Sequence, residues 1–173
     1  MLGKANTCGV NSVITAIHEA RVSIRSMTHD DLVLVTDIER RSYEFPWSHG
    51  VFRDCLLAGY RCVVLERDDE VAGYGILSVA AGEAHILNIC VDPTHRSLGC
   101  GERLLDEMLY SARTALVQEV FLEVRASNEN AMALYKKKGF YLVASRPSYY
   151  QAQEGREDAV ILAKKLMADG KPG

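Results

Sequence analysis

Val91-Asp-Pro-Thr-His-Arg-Ser-Leu-Gly-Cys-Gly-Glu-Arg-Leu-Leu105 is the stretch on which the reading of the fold turns. The apolar run before it, Ala84 to Val91, reads as a strand buried on both faces and stopped by Asp92-Pro93. After a short loop, Arg96-x-x-Gly99-x-Gly101 opens a helix whose Leu104, Leu105, Met108 and Leu109 make an inward stripe to about Leu116. Loop glycines let the backbone turn inward, so several N–H groups meet at the positive end of a helix dipole. That is an anion cradle of pyrophosphate size. A Walker loop would need G-x-x-x-x-G-K-[ST], and no Lys-Ser/Thr pair occurs here; a dinucleotide fold would need a third glycine after G-x-G. By itself the stretch also reads as an ordinary strand–helix connection.

Working outward, Val22 to Met27 alternates as a strand. Thr28 then caps a helix carrying Leu32, Val35 and Ile38 to about Tyr43, with Asp30 and Asp31 in its first turn. Phe45-Pro46-Trp47 breaks that helix, and Ser48 caps a second one through Leu57. Cys62 to Glu66 and Val71 to Ala80 flank the turn Asp68-Asp69-Glu70 as a hairpin. Beyond the central helix, Val120 to Val124 is a strand, and Asn128 caps a helix with Met132, Leu134 and Tyr135 that Gly139 ends. Phe140 to Ala144 and Asp158 to Leu162 are the last strands. The order β, α, α, three strands, α, β, α, β, β predicts an α+β fold with helices on both faces of one sheet.

Composition bounds what this fold can do. The chain has 173 residues, 48% hydrophobic and 25% charged, with a net charge of −3, which suits one domain and excludes a disordered or low-complexity protein. That charge, without interleaved aromatic and basic residues, argues against nucleic acid as a partner. No run of about 18 apolar residues exists, so no membrane span is expected. The five cysteines, Cys8, Cys55, Cys62, Cys90 and Cys100, form no C-x-x-C pair and have no histidine at metal-finger spacing. They read as small reduced hydrophobes, with no metal expected. The N-terminus lacks an apolar signal core, which predicts a cytoplasmic protein. Residues 1–21 read as an extension with a short helix from Asn11 or Ser12 (Val13, Ile14, Ile17), 22–166 as the domain, and 167–173 as a tail.

Several separated motifs carry a family resemblance. Arg96-x-x-Gly99-x-Gly101 after a strand resembles the acyl-CoA loop of the Gcn5-related N-acetyltransferases (GNAT), Q/R-x-x-G-x-G/A, over about residues 22 to 166. Ile86-Leu-Asn-Ile-Cys-Val-Asp-Pro93, Phe121-Leu-Glu-Val-Arg-Ala-Ser-Asn128, Ala133-Leu-Tyr-Lys-Lys-Lys-Gly-Phe140 and Gly155-Arg-Glu-Asp158 are similar to the bacterial RimI-type enzymes of that family, as is the Phe45-Pro46-Trp47 corner. Those enzymes acetylate the N-terminal alanine of a small-subunit ribosomal protein of the S18 type.

The resemblance implies a mixed, mostly antiparallel sheet splayed between its fourth and fifth strands, with acetyl-CoA as co-substrate and its pantetheine arm in the gap. It implies backbone bonds to that arm from Asn88, Ile89 and Val91. Main-chain N–H groups of Arg96, Ser97, Leu98, Gly99, Cys100 and Gly101 would hold the pyrophosphate. Asn128 would cap its helix and touch the pantetheine, and the N–H of Ile89 or its neighbour would face the oxyanion. Glu123 is implied as general base through water, and Tyr135 as the acid that protonates the leaving thiolate.

Simpler roles compete with these. Glu123 reads equally as a solvent-facing strand glutamate paired with Arg125, and Tyr135 as an amphipathic helix tyrosine with a wet hydroxyl. The Cys100 side chain reads as packing, His85 and His95 as surface groups, and Lys136-Lys137-Lys138 as solvated lysines suited to a helix end. Tyr149-Tyr150 with Gly155 to Asp158 resembles a loop that shapes the peptide site, and Glu44 is a candidate contact for a cationic peptide. The partner implied is the N-terminus of a basic ribosomal protein. Two other readings stay open: the same chemistry on lysine side chains or small amines, and a non-catalytic acyl-CoA sensor.

Overall fold

The computed structural model describes residues 20–153 and 155–166; the expected helix near Val13, Cys8 and the tail lie outside them. Along the chain come β1 (Val22–Ser26), α1 (Leu32–Ser42), α2 (His49–Leu57), β2 (Arg61–Arg67), β3 (Glu70–Ala80) and β4 (Glu83–Val91). There follow α3 (Cys100–Thr114), β5 (Glu119–Arg125), α4 (Glu129–Lys137), β6 (Tyr141–Gln151) and β7 (Arg156–Lys165). The order is the one expected. Local chemistry sets the boundaries: the Thr28 N–H donates to the Asp31 carboxylate at 2.8 Å just before α1, and the Ala131 N–H donates to Asn128 Oδ1 at 3.2 Å at the start of α4. Gly139, with φ +82°, closes α4 in a conformation that L side chains resist.

The strands pair in the order β1-β2-β3-β4-β5-β7-β6, antiparallel everywhere except β4 with β5. That parallel pairing runs only from Glu83 opposite Glu119 to Ile86 opposite Leu122. Beyond it β4 stays with β3 as far as Val91 and β5 stays with β7 as far as Arg125, so the sheet opens into a notch between residues 88–91 and 123–125. A bulge starts the divergence: Leu77 faces Ile86 while Ile76 faces Asn88, leaving Leu87 as the extra residue in β4. One inserted residue exchanges the two faces for everything after it.

Helices cover both faces. On one, Leu104, Leu105 and Met108 of α3 pack on Val63, Leu65, Leu77, Ile86 and Leu122, with Tyr135 of α4 joining them. On the other, Leu32, Val35 and Ile38 of α1 and Phe52 of α2 cover Val64, Tyr74, Ile76 and Cys90. The alternation Val63, Val64, Leu65 along β2 feeds both cores, as a two-sided strand requires. At Gly73 the backbones press close, since a Cβ there would lie 2.6 Å from the Cys90 carbonyl oxygen.

Two expectations need correction. β4 is not buried on both faces throughout: Glu83, His85 and Leu87 are exposed, because α1 and α2 reach Cys90 but leave the start of the strand uncovered. His85 stacks on Phe121 there, with ring centroids 5.3 Å apart. The segment carrying Tyr149 and Tyr150 is strand rather than loop, for β6 continues seven residues past Ala144. Pro147 hides this in the sequence: three β6 residues bulge between the Arg146–Ala159 and Tyr150–Glu157 pairs, and the freed Ser148 N–H donates to Asp158 Oδ1 at 2.8 Å.

Cys55, Cys62, Cys90 and Cys100 are free and buried, as small hydrophobes would be. Among the described residues no helix is long and apolar enough to cross a membrane.

Candidate active site

The notch opens into a cleft of about 350 Å³. Its floor comes from the diverging strands (Ile86 to Ile89 of β4, Leu122 to Arg125 of β5), and α4 closes one side with Ala131 and Tyr135. One rim is the end of α1 and the corner after it, with Glu39, Tyr43, Phe45 and Trp47. The opposite rim is the end of β6, with Tyr149, Tyr150 and Gln151. Asn88, Ile89, Glu123, Asn128 and Tyr135 are thus brought together around one space. Val91 and residues 96–101 do not line it; they form the connection from β4 to α3, at the end of the same notch.

That connection has the backbone of an anion cradle. Ser97 and Gly99 both have positive φ, +61° and +79°, and Gly99 is the N-cap of a fifteen-residue helix. Turns that alternate in this way gather N–H groups into a concave, positively polarised pocket. The Cys100 side chain is buried in the α3 core, in keeping with a packing role, whereas Leu98 is exposed. Arg96 donates from Nε to the Val91 carbonyl at 3.4 Å. A Cβ on Gly101 would meet only side-chain carbons at 3.8 Å, so space inside the protein does not demand glycine there. Asp92 braces the loop: it is buried, caps the Thr94 N–H at 2.9 Å, and pairs with Arg41 of α1.

Glu123 stands on the exposed face of β5 and pairs with Arg146 of β6 at 2.8 Å. The partner expected from sequence, Arg125, bonds instead to Glu157 at 3.3 Å and lies 4.5 Å from the centre of the Tyr150 ring. Glu123 and Arg125, two residues apart, share a face of β5. Ala159 of β7 stands opposite both Arg125 and Arg146, so Arg146 lies on that face too and takes Glu123 while Arg125 turns to Glu157 and Tyr150. Tyr135 is nearly enclosed at 9% exposure, with its ring 5.7 Å from that of Phe140. Burial, and then the nearby Tyr150, push its phenol up to about 12, so it carries its proton throughout the neutral range.

Two lining residues escaped the sequence reading. Glu39 is 2% exposed; its Oε1 accepts the Trp47 N–H at 2.9 Å and its Oε2 accepts the Tyr74 hydroxyl. Tyr43 donates to the Ile89 carbonyl at 3.4 Å, and burial raises its phenol strongly. A signal for Glu39 existed: Leu32, Val35, Thr36 and Glu39 fall at i, i+3, i+4 and i+7, which puts a carboxylate on the buried stripe of α1. Of the weaker candidates, Glu44 is exposed and His85 and His95 lie outside the cleft lining. Lys137 and Lys138 are not merely solvated: they pair with Glu102 and Asp106 of α3 at 2.7 Å each, tying α4 to α3.

Residues 32–140 match the model of the acetyltransferase (GNAT) family. The chain is 39% identical over 142 residues to the ribosomal protein bS18-alanine N-acetyltransferase of Salmonella typhimurium, covering 82% of this chain and 95% of that one. The crystal structure of the ribosomal-protein-S18-alanine N-acetyltransferase from Escherichia coli superposes with a TM-score of 0.82 at 35% identity, over 87% of this chain and 97% of the other. Ard1 from Thermoplasma volcanium follows at a TM-score of 0.76 and 27% identity, over 85% and 99%. The chain belongs to the acetyltransferase (GNAT) family.

Proposed function

We propose that this acetyltransferase moves an acetyl group from acetyl-CoA to the N-terminal alanine amine of a small-subunit ribosomal protein of the S18 type, in the cytoplasm. The observation that carries the reading is the notch. A stretch of β4 backbone left open on its β5 side, a protonated buried phenol and an accessible carboxylate border one cleft, with an anion cradle at its end. The acceptor is supported by the relatives of Salmonella typhimurium and Escherichia coli, which carry that substrate in their names.

In this reading the cradle of residues 96–101 takes the pyrophosphate and the notch takes the pantetheine, in hydrogen bonds with the main chain of Asn88, Ile89 and Val91. Asn128, at the head of α4, lies beside it. The acceptor enters between the Phe45–Trp47 corner and the Tyr149–Tyr150 rim. An α-amine has a pKa near 8, so a modest base is enough to keep it neutral. Glu123 relays its proton through water, which the half-exposed carboxylate admits. The amine nitrogen bonds to the thioester carbon, the C–S bond breaks, and the thiolate takes its proton from Tyr135. No enzyme-bound acetyl group forms, and none of the buried cysteine thiols takes part.

The test is release of free CoA from acetyl-CoA with a peptide beginning Ala-Arg, against the same peptide with a blocked N-terminus and one with an internal lysine only. Release confined to the free N-terminal alanine supports the assignment. Release with lysine or free amines alone moves the acceptor, and binding of acetyl-CoA without release on any amine makes the protein a sensor.

A further inference from the structure

Glu39 has no part in the chemistry just described, yet it is the most deeply buried carboxylate among the described residues that line the cleft. Both its oxygens are committed. Oε1 accepts the main-chain N–H of Trp47, eight residues on and in the corner between α1 and α2; Oε2 accepts the hydroxyl of Tyr74 in the middle of β3. Tyr43 anchors the start of the corner through its hydroxyl on the Ile89 carbonyl, and the residues after it have fewer anchors. Phe45 is exposed, Pro46 has no N–H to donate, and the contact of Trp47 with the core is a tilted packing on Phe52 at 5.6 Å. One carboxylate thus joins the irregular connection between two helices to the centre of the sheet.

We infer that Glu39 is a positioning residue for the acceptor: by holding the Trp47 backbone against β3 it fixes the rim on which the first residues of the acceptor peptide rest. This rests on the acetyl-transfer reading. The pyrophosphate loop has its own brace in Asp92, which caps the Thr94 N–H within the loop and pairs with Arg41 of α1, ahead of the corner, so loosening the corner leaves that loop in place. Hydrogen bonds to a buried charge are among the stronger ones a protein makes, and freeing the Trp47 N–H removes such a bond.

The experiment uses the full chain with acetyl-CoA and a peptide beginning Ala-Arg, and compares Glu39→Gln, Glu39→Ala, Glu39→Met and Tyr74→Phe. Gln retains an oxygen for the Trp47 N–H, and Tyr74→Phe leaves that bond untouched while removing a buried hydroxyl. The expected result is a peptide KM raised about tenfold in Glu39→Ala and Glu39→Met but by less than about threefold in Glu39→Gln and Tyr74→Phe. The acetyl-CoA KM should stay within about twofold in all four. Thermal unfolding separates this from general destabilisation, because Tyr74→Phe lowers Tm while the peptide KM rises by less than about threefold.

If Glu39→Ala does not fold, the longer apolar Met decides. Equal rises in both KM values, or a peptide KM that follows Tm across all four variants, overturn the proposal. Absence of peptide acetylation by the unaltered protein would instead overturn the acetyl-transfer reading.

Discussion

Replacing Tyr135 by Phe removes one oxygen from the cleft and little else. The ring keeps its place at 9% exposure against Phe140, so stability should change by less than about 1 kcal/mol. The expected loss lies in the rate. Proton transfer from a positioned group contributes about 10² to 10⁴. Because the cleft is open beside Glu123, water can replace part of it, which places the deficit near the lower end, about 10² to 10³, or about 2.7–4 kcal/mol of barrier. Acetyl-CoA binding should stay within about threefold, since the hydroxyl is asked only to meet the departing sulfur.

The assay follows free thiol on mixing acetyl-CoA with a peptide beginning Ala-Arg, with isothermal titration of CoA as the binding control. The pH dependence adds a second constraint. With its phenol pushed up to about 12, Tyr135 begins to lose its proton only as pH approaches that value, so it introduces no alkaline fall in rate between pH 7 and about 10. A Phe variant within fivefold of the unaltered rate would refute the acid role. So would a rate deficit matched by an equal loss of CoA affinity.

Three further outcomes follow from named contacts. Glu123→Gln should lower peptide-dependent CoA release by about 10- to 100-fold with acetyl-CoA KM unchanged, measured as initial rates below saturating peptide; an unchanged rate removes it as the base. In the glycine loop, Gly99→Ala should cost about 1 kcal/mol in urea unfolding, because φ is +79°, and raise the acetyl-CoA KM. Gly101→Ala should be neutral or stabilising by up to about 1 kcal/mol with KM within threefold, its Cβ meeting atoms only at 3.8 Å. Asp31 accepts from both Arg25 and Thr28, and Arg25 above all holds its carboxyl at about 2. A pKa lowered by folding stabilises above the unfolded value near 3.8 and is lost as pH falls from there towards 2. Asp31→Asn should therefore cost about 1–2 kcal/mol at pH 7, a range discounted for the 41% exposure of Arg25, and the gap should narrow by pH 3 in denaturant titrations.

What the sequence made legible divides along a physical line. Elements whose boundaries are written in short-range chemistry were readable: the Thr28–Asp31 box, Asn128 at the head of α4, Gly139 at its end and the Ser97–Gly99 turn all act within four residues. The cleft depends on partners far apart in the chain, and there single residues misled. Glu123 reads in sequence as paired with Arg125, two residues on and on the same face, but Arg125 is taken by Glu157 and Tyr150. The partner Glu123 meets, Arg146, lies 23 positions later and two strands away. Leu87 reads as one more apolar residue in a buried run, although it is the bulge that turns β4 away from β5 and so opens the notch. A bulge has no composition of its own; only the mismatch between two registers reveals it.

Glu39 is the instructive intermediate, legible as an anomaly on the buried stripe of α1, whereas its meaning needed the fold to bring Trp47 and Tyr74 to its two oxygens. A charge placed where the helical period demands an apolar residue carries a desolvation cost that only specific donors can offset. Such a position therefore predicts donors before their identity is known. In this fold those donors are the acceptor rim and the centre of the sheet, which is why the least conspicuous carboxylate of the cleft is the one through which the acceptor's rim is held to its core.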